Sequence, residues 1–303
     1  MSISRAQSLK QLVPGLNALF GLTYKAYSDE HAQFYDTSTS KRAWEEDQKL
    51  AGFGLGEELE EGRAISYDDG AQEVYTARYV HAKVGMGFRI TEEAMEDNLY
   101  ESLASRYTKA MARSMQQTKQ LRAMDLINRG FTTFNGPDGV TLFSTAHPTV
   151  SGLTNRNRPA VPVDLNETSL EAAVIELSRW VDERGLKIIA RAQRLIVPPS
   201  LQFIASRILD TQMRPGTSDN DTNALRQTRS IAQGYVVNNY LTDDNAWFLK
   251  TDIPDSMRHF VRRPYKTTMD GDFDTGNVRY KATERYSFGV SDPLGIWGSP
   301  GST

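Results

Sequence analysis

Between residues 79 and 90 apolar side chains fall at every second position: Val80, Ala82, Val84, Met86, Phe88 and Ile90 alternate with Tyr79, His81, Lys83 and Arg89. That period predicts a strand with one face on a core and the other turned outward. An earlier strand is expected at 64–67, joined to the long one through Asp68-Asp69-Gly70, where glycine tolerates the positive φ of a tight hairpin whose tip projects into solvent. At Thr91 the period becomes helical. Thr91 is a suitable N-cap, and Glu92 and Glu93 fall where the helix dipole favours negative charge. Met95, Leu99, Leu103, Tyr107, Met111, Met115 and Leu121 keep helical spacing toward a left-handed C-cap expected at Gly130. No proline interrupts 91–128, so the helix is about 55 Å long. That exceeds the diameter of a small domain, and part of the helix must lie along something other than its own core.

Upstream, Ile3, Ala6, Leu9 and Val13 mark one short helix; Pro14 ends it, and a second holds Leu16, Leu19 and Phe20. From 24 to 51 the aromatics Tyr24, Tyr27, Phe34, Tyr35 and Trp44 follow no clear period, as expected of an arm lying across another surface. Downstream, 145–162 is rich in breakers and reads as loop. A compact α/β unit follows. Thr168 and Glu171 form a capping-box pattern, and Leu170, Val174, Leu177 and Val181 give the stripe of a helix ending near Gly185. A strand at 194–197 stops at Pro198, Leu201, Ile204, Ala205 and Ile208 mark another helix, and 217–222 is polar. Residues 235–237 and 247–249 are expected to pair as a hairpin around 242–245, with a further strand near Phe260. The chain closes on Val278, Tyr280, Ala282, Glu284, Tyr286 and Phe288, alternating as in a long antiparallel strand. The first half of the long helix is expected on the sheet closed by that strand, the remainder near Trp180.

The 303 residues suffice for one large core or two moderate ones. With 35 basic and 38 acidic residues mixed along the chain, no broad basic field exists, and contact with DNA is expected to be local and weak. Cysteine is absent, which removes disulfides and thiolate metal sites and fits folding in a reducing cytoplasm. Pro14 and Gly15 interrupt the first apolar stretch before a secretory core forms, and no run reaches the roughly 20 apolar residues of a membrane span. A soluble, non-exported chain is expected.

Candidate chemistry is sparse. Ser144 and His147 could serve a hydrolase as nucleophile and base, but the serine lacks the Gly-x-Ser-x-Gly elbow, and a structural loop histidine is the expected reading. Residues 270–276 open like a calcium loop, yet the glycine falls one place late and Lys281 occupies the position of the closing glutamate. Asp274-Thr275-Gly276 occurs once, whereas aspartic protease chemistry needs two carboxylates in one site, so a polar hairpin turn is expected. Gly52, Gly54 and Gly56 lack a following Lys-Ser/Thr and lead into Glu57, Glu58, Glu60 and Glu61, which suits a hinge rather than a phosphate cradle. Arg262, Arg263 and Lys266 form a small basic face. No catalytic, cofactor-binding or metal-ligating residues are expected.

Several stretches in order carry a resemblance: 13–20 (VPGLNALF), 51–54 (AGFG), 87–97 (GFRITEEAMED), 142–148 (LFSTAHP) and 286–293 (YSFGVSDP). Together they resemble the major capsid proteins of tailed bacteriophages, specifically the Mu-like head-subunit family. The resemblance implies an α+β fold: an N-terminal arm (1–53), an extended β-hairpin loop (54–88), a long spine helix in a peripheral domain (89–150), an α/β axial domain (151–255), and peripheral return strands with a C-terminal tail (256–303). It implies a structural, non-enzymatic subunit that self-assembles as pentamers and hexamers into an icosahedral head enclosing double-stranded DNA. Separate scaffold or protease, portal and decoration proteins are the implied partners, with no membrane. The implied location is the virion capsid, assembled in the bacterial cytoplasm. No long coiled-coil-like extension precedes the arm, so a scaffold would be a separate chain. A nanocompartment shell of the same fold enclosing protein cargo is the alternative, and a hydrolase using Ser144 and His147 the third reading.

Overall fold

The computed structural model describes residues 5–302 except 66, 69, 71, 92, 94–99, 214–221, 273 and 274. The first half holds helix α1 (Arg5–Ala26), strands β1 (Asp36–Thr39), β2 (Trp44–Leu50), β3 (Glu73–Val80) and β4 (Ala82–Ile90), and helix α2 (Tyr100–Asn128). After strands β5 (His147–Pro148) and β6 (Thr154–Asn155) come helix α3 (Glu167–Leu177), strand β7 (Ala192–Val197), and helices α4 (Gln202–Asp210) and α5 (Ala224–Gln227). Strands β8 (Tyr235–Val237), β9 (Trp247–Thr251), β10 (Met257–Gly271), β11 (Val278–Val290) and β12 (Ile296–Ser299) complete the chain.

Two four-stranded sheets carry the architecture. In the first, ordered β1-β10-β11-β4, the alternation along β11 holds as far as Tyr286, with Val278, Tyr280, Ala282, Glu284 and Tyr286 all buried, and then breaks, Ser287 being buried and Phe288 half-buried. Leu16, Phe20 and Tyr24 of α1, four residues apart on one helical face, close a core with Ala104, Met111, Ala112 and Met115 of α2 and with Tyr280 and Ala282. The second sheet, β12-β9-β7-β8, is apolar on both faces. Leu195, Val197, Trp247, Leu249 and Trp297 face the core under α3 and α4, whereas Ile196, Phe248 and Ile296 face a third core. That third core contains Ala123, Met124 and Ile127 of α2 with Phe34, Tyr35 and Phe143. One helix thus joins both sheets. Its described 29 residues span about 44 Å.

Several expectations need correction. The far end of α2 meets Ile196 and Phe248, not Trp180, which belongs to the core under α3. Met111 and Met115 are buried, but Tyr107 and Leu121 are exposed, and Thr108, Gln116 and Gln120 take buried places on that face. Gly130 is not left-handed; glycine is required because a Cβ would sit 2.7 Å from the Phe143 ring. Glu92, Met95 and Leu99 lie outside the described residues, as do Ile3 and most of 217–222. Helix α1 runs through Pro14 as a single element. Helix α3 is capped reciprocally by Asn166 and Ser169 and ends at Leu177 with Ser178 as its C-cap, and Gly185 (φ +86) belongs to a separate turn near 182–186.

The expected hairpin is also differently built. Described residues of 64–70 form no strand; β3 pairs antiparallel with β2, in the segment read as arm. Strand β2 escapes hydrophobic periodicity because its inner face is Glu45, Asp47 and Lys49, half-buried and paired to charge or hydroxyl groups. The predicted alternation across 79–90 reverses at His81: Ala77, Tyr79 and His81 are buried before it, Ile90 after it, and Val80 is exposed. His81 sits between Ser40 and Ser287, 3.0 Å from each hydroxyl, and separates β3 from β4. Strands β8 and β9 are no hairpin, since β7 lies between them, parallel to β8 and antiparallel to β9. Strand β12 joins the second sheet rather than the first.

Candidate assembly interface

The β2–β3 hairpin is fixed at its base by charge. Asp47 accepts from Arg258 Nε at 3.2 Å and from Ser291 Oγ at 2.7 Å, and Lys49 pairs with Asp292. Tyr79 packs on Phe260 with ring centroids 5.0 Å apart and lies over Gly289, where any Cβ would collide with its ring. The connection 51–72 does not project free. Asp68 accepts from the Gly54 amide at 2.7 Å and the Gly70 amide at 2.8 Å, and the Arg184 guanidinium donates to both its oxygens at 3.1 and 3.2 Å. Those amides, then Arg184, hold the Asp68 carboxyl below the usual carboxylate range. The Gly54 amide expected at a hinge is therefore tied down.

Leu50 at the end of β2 and, in the connection, Phe53, Leu55, Ile65 and Tyr67 stand in solvent, Leu55 at 83% and Tyr67 at 89% exposure. A second exposed apolar surface lies beside α2. A groove of about 570 Å³ runs between Leu121 and Leu126 of α2 and, across from them, Val80 at the end of β3 with Ala82, Tyr286 and Phe288 of the first sheet, with Arg122 and Asp125 also lining it. Leu121 is 57% and Val80 68% exposed. Exposed apolar side chains in this number suit a place of contact.

Beneath α2 the packing is polar. Lys119 Nζ lies 3.3 Å from Glu284 Oε2, to which Tyr24 donates its hydroxyl at 2.9 Å. Burial, then the Glu284 charge, pushes the Tyr24 hydroxyl upward. His259 stacks on Phe288 at 4.3 Å and meets His31 edge-on at 4.8 Å. Burial lowers His259 to about 3, with the nearby His31 and Lys119 charges adding to the effect, and burial also lowers His31. These histidines pack the 24–36 segment onto the first sheet.

Ser144 and His147 are close but form no pair. His147 Nδ1 lies 2.5 Å from Asp138 Oδ2, and Nε2 3.0 Å from Asn157 Oδ1, so both ring nitrogens are engaged elsewhere. Ser144 Oγ accepts from the Ala146 amide at 3.1 Å. The hub is Asn157, fully buried, whose amide nitrogen donates to the carbonyls of Leu142, Pro293 and Ile296 and whose oxygen accepts from the Ser144 amide. Nothing local in the sequence distinguished it from the other loop asparagines. At 270–276, Asp272 accepts from Thr275 Oγ1 at 2.9 Å and from Arg279, and Gly276 has φ +68: a hairpin turn between β10 and β11. Asp274 lies outside the described residues. Of the basic group on β10, Arg263 donates to Thr283 at 2.8 Å beside a bulge. Among the described residues no cluster of His, Cys, Asp or Glu could hold a metal, and no helix is long and apolar enough to cross a membrane.

The fold is shared with assembled particles. The capsid of the cyanophage P-SCSP1u superposes with a TM-score of 0.56 at 10% identity, covering 88% of this chain and 85% of that one. The capsid of an empty GTA particle gives 0.55 at 12% identity, covering 89% of each chain. A virus-like particle from Pyrococcus furiosus gives 0.54 at 10% identity, covering 94% and 97%. No curated protein sequence matches the chain. The architecture is that of a tailed-phage major capsid protein. A family model described as phage capsid protein matches residues 74–298, so the chain belongs to that family and is a structural subunit of a capsid shell.

Proposed function

We propose that this subunit closes with copies of itself, as pentamers and hexamers, into an icosahedral phage head around double-stranded DNA. The observation that carries the reading is the pair of exposed apolar surfaces within one subunit: the side chains at Leu50, Phe53, Leu55, Ile65 and Tyr67, and the groove beside Leu121. The 50–67 face of one copy lies in the α2 groove of the next, and burial of Leu55 and Tyr67 contributes most of the contact. On this reading α1 with the 24–36 segment is the arm, β2–β3 with 51–72 the extended loop, the first sheet with α2 the peripheral domain, and the second sheet with α3 and α4 the axial domain. The Mu-like placement within the family rests on the motifs at 13–20, 51–54, 87–97, 142–148 and 286–293. With a formal charge of −3 the subunit contacts packaged DNA locally and weakly. Scaffold or protease, portal and decoration proteins are separate chains, and assembly takes place in the bacterial cytoplasm.

The test is the double substitution Leu55→Glu and Tyr67→Glu. Both side chains are solvent-exposed in the subunit, so the variant keeps its thermal melt. It is expected to stay as small oligomers by sedimentation under conditions where the parent closes shells. Normal shells from the variant contradict the assignment of this face.

A further inference from the structure

Counted along the chain, acids and bases balance, but the strand period of the first sheet sorts them by face. Tyr280 and Ala282 of β11 turn toward α1 and α2, so Arg279, Lys281, Thr283 and Arg285 turn the other way. The register places Arg89 beside Arg279, and sets Arg285 between Lys83 and Arg263. Lys266 lies opposite Thr283, Thr268 opposite Lys281, and Asp270 opposite Arg279. The β2–β3 hairpin covers this face only toward its far end, where Tyr79 lies over Gly289 and His81 meets Ser287. Beyond it Lys83, Arg89, Lys266, Arg279 and Lys281 are exposed, with Arg263 and Arg285 half-buried.

Like charges directly opposite on neighbouring strands destabilise a sheet. Arg279 is compensated by Asp272, but among the described residues no carboxylate pairs with Lys83, Arg89, Arg263, Lys266, Lys281 or Arg285. A face with this repulsion unrelieved suits an anionic partner from outside the subunit. The patch runs about 20 Å along β11, from Arg279 to Arg285, and about 10 Å across β4, β11 and β10. About 20 Å of DNA duplex carries about 12 phosphates, of which roughly half face a flat surface, close to the number of uncompensated cations. The other positions here, Gly85, Gly87, Thr268 and Thr283, offer no ring for stacking single-stranded bases and no large apolar side chain for the core of a protein interface. Thr283 Oγ1 accepts from Arg263 at 2.8 Å and keeps its proton for a phosphate oxygen. The chain's own acidic run at 57–61 fits less well: Glu57 lies 3.9 Å from Arg63, and the connection that carries it is tied through Asp68 to Arg184.

We propose that the face of the first sheet turned away from α1 and α2, between Lys83 and Arg89, holds the phosphate backbone of duplex DNA. It reads no sequence, because its cations meet phosphates and not base edges. The inference rests on the reading of the shell as a container for DNA, and turns this face of each closed subunit inward.

The experiment measures fluorescence anisotropy of a short labelled duplex of random sequence against dissociated subunits of the full chain, over a range of salt concentrations. The triple substitution Arg89→Gln, Lys266→Gln and Lys281→Gln is expected to weaken binding at low salt at least about tenfold and to make the slope of log K against log salt shallower by about 3. All three side chains are exposed, and removing Arg89 relieves its repulsion with Arg279, so the melt should not fall. Absence of duplex binding by the parent, or an unchanged affinity and slope in the variant, overturns the proposal. Displacement of the duplex by an equimolar peptide spanning residues 55–62 assigns the face to the acidic run of a neighbouring copy and overturns the DNA partner. Closed empty particles that bind a plasmid-length duplex on their outside overturn it as well. Failure of the parent to close shells removes the container reading, whereas closed shells from subunits that bind no duplex overturn this face alone.

Discussion

The Tyr24 hydroxyl donates to Glu284 Oε2 at 2.9 Å, joining helix α1 to strand β11, and Lys119 of α2 reaches the same oxygen at 3.3 Å while lying over the Tyr24 ring. One carboxylate oxygen thus fastens the arm, the long helix and the closing strand. Glu284 is 2% exposed and its other oxygen has no partner among the described residues, so the site depends on both donors.

Tyr24→Phe should lower subunit stability by about 2 kcal/mol, the value of a hydrogen bond to a buried charge. Glu284→Gln should cost more, about 3–5 kcal/mol, because Lys119 is left without its counter-charge. Urea unfolding of dissociated subunits measures both. Equal stability of Tyr24→Phe and the parent would show that the arm is held elsewhere.

Acid should loosen the same region. His259 titrates near 3 in the folded chain against an ordinary 6.5, so between those values the unfolded chain binds a proton that the folded chain does not. Stability is therefore full above about pH 6.5 and falls as pH drops toward 3, by roughly 1.4 kcal/mol per pH unit for one proton. His31 and His81, also lowered by burial, act in the same direction. His259→Phe keeps the stack on Phe288 and should flatten the slope between pH 6 and 4. An unchanged slope assigns the acid sensitivity to other groups.

Asn157→Ala should be among the more damaging single substitutions, since it strands the Ser144 amide and three carbonyls. A loss of about 3 kcal/mol or more is expected, against under about 1 kcal/mol for Ser144→Ala. Thermal melts of the two variants compare them directly. A hydrolase would differ in activity and not in stability, with Ser144→Ala losing an ester-cleaving activity that the parent shows.

The docked tip gives a separate readout. Because Asp68 is held below its ordinary 3.8, docking is complete above that value and is lost as pH falls through the lower folded value. Arg184→Ala removes one of its donors at neutral pH and should speed proteolytic cleavage within 51–72 severalfold, while cleavage elsewhere is unchanged. Identical cleavage in variant and parent would mean that Arg184 does not hold the tip.

Legibility from sequence followed the source of each element's stability. Strand β11 and helix α4 are driven by apolar burial at a regular period and lie where that period placed them, whereas α2 forms over its described residues with Thr108, Gln116 and Gln120 buried in place of Tyr107 and Leu121. Strand β2 buries Asp47 and Lys49 against partners some 200 residues away, so its inner face looks like an outer one. The reversal at His81 was hidden for a related reason: two serine hydroxyls from distant segments make a buried imidazole acceptable. Strands β8 and β9 looked like a hairpin because pairing was inferred from proximity, whereas β7, apolar on both faces, takes both as neighbours. Asn157 carried no local signal at all, since its partners span 142–296.

Electron microscopy of the purified protein under assembly conditions tests the central claim most directly. Closed icosahedral shells of uniform diameter, with pentameric and hexameric clusters of this chain on their surface, are the predicted result. Particles that remain monomeric and globular under every assembly condition would contradict it.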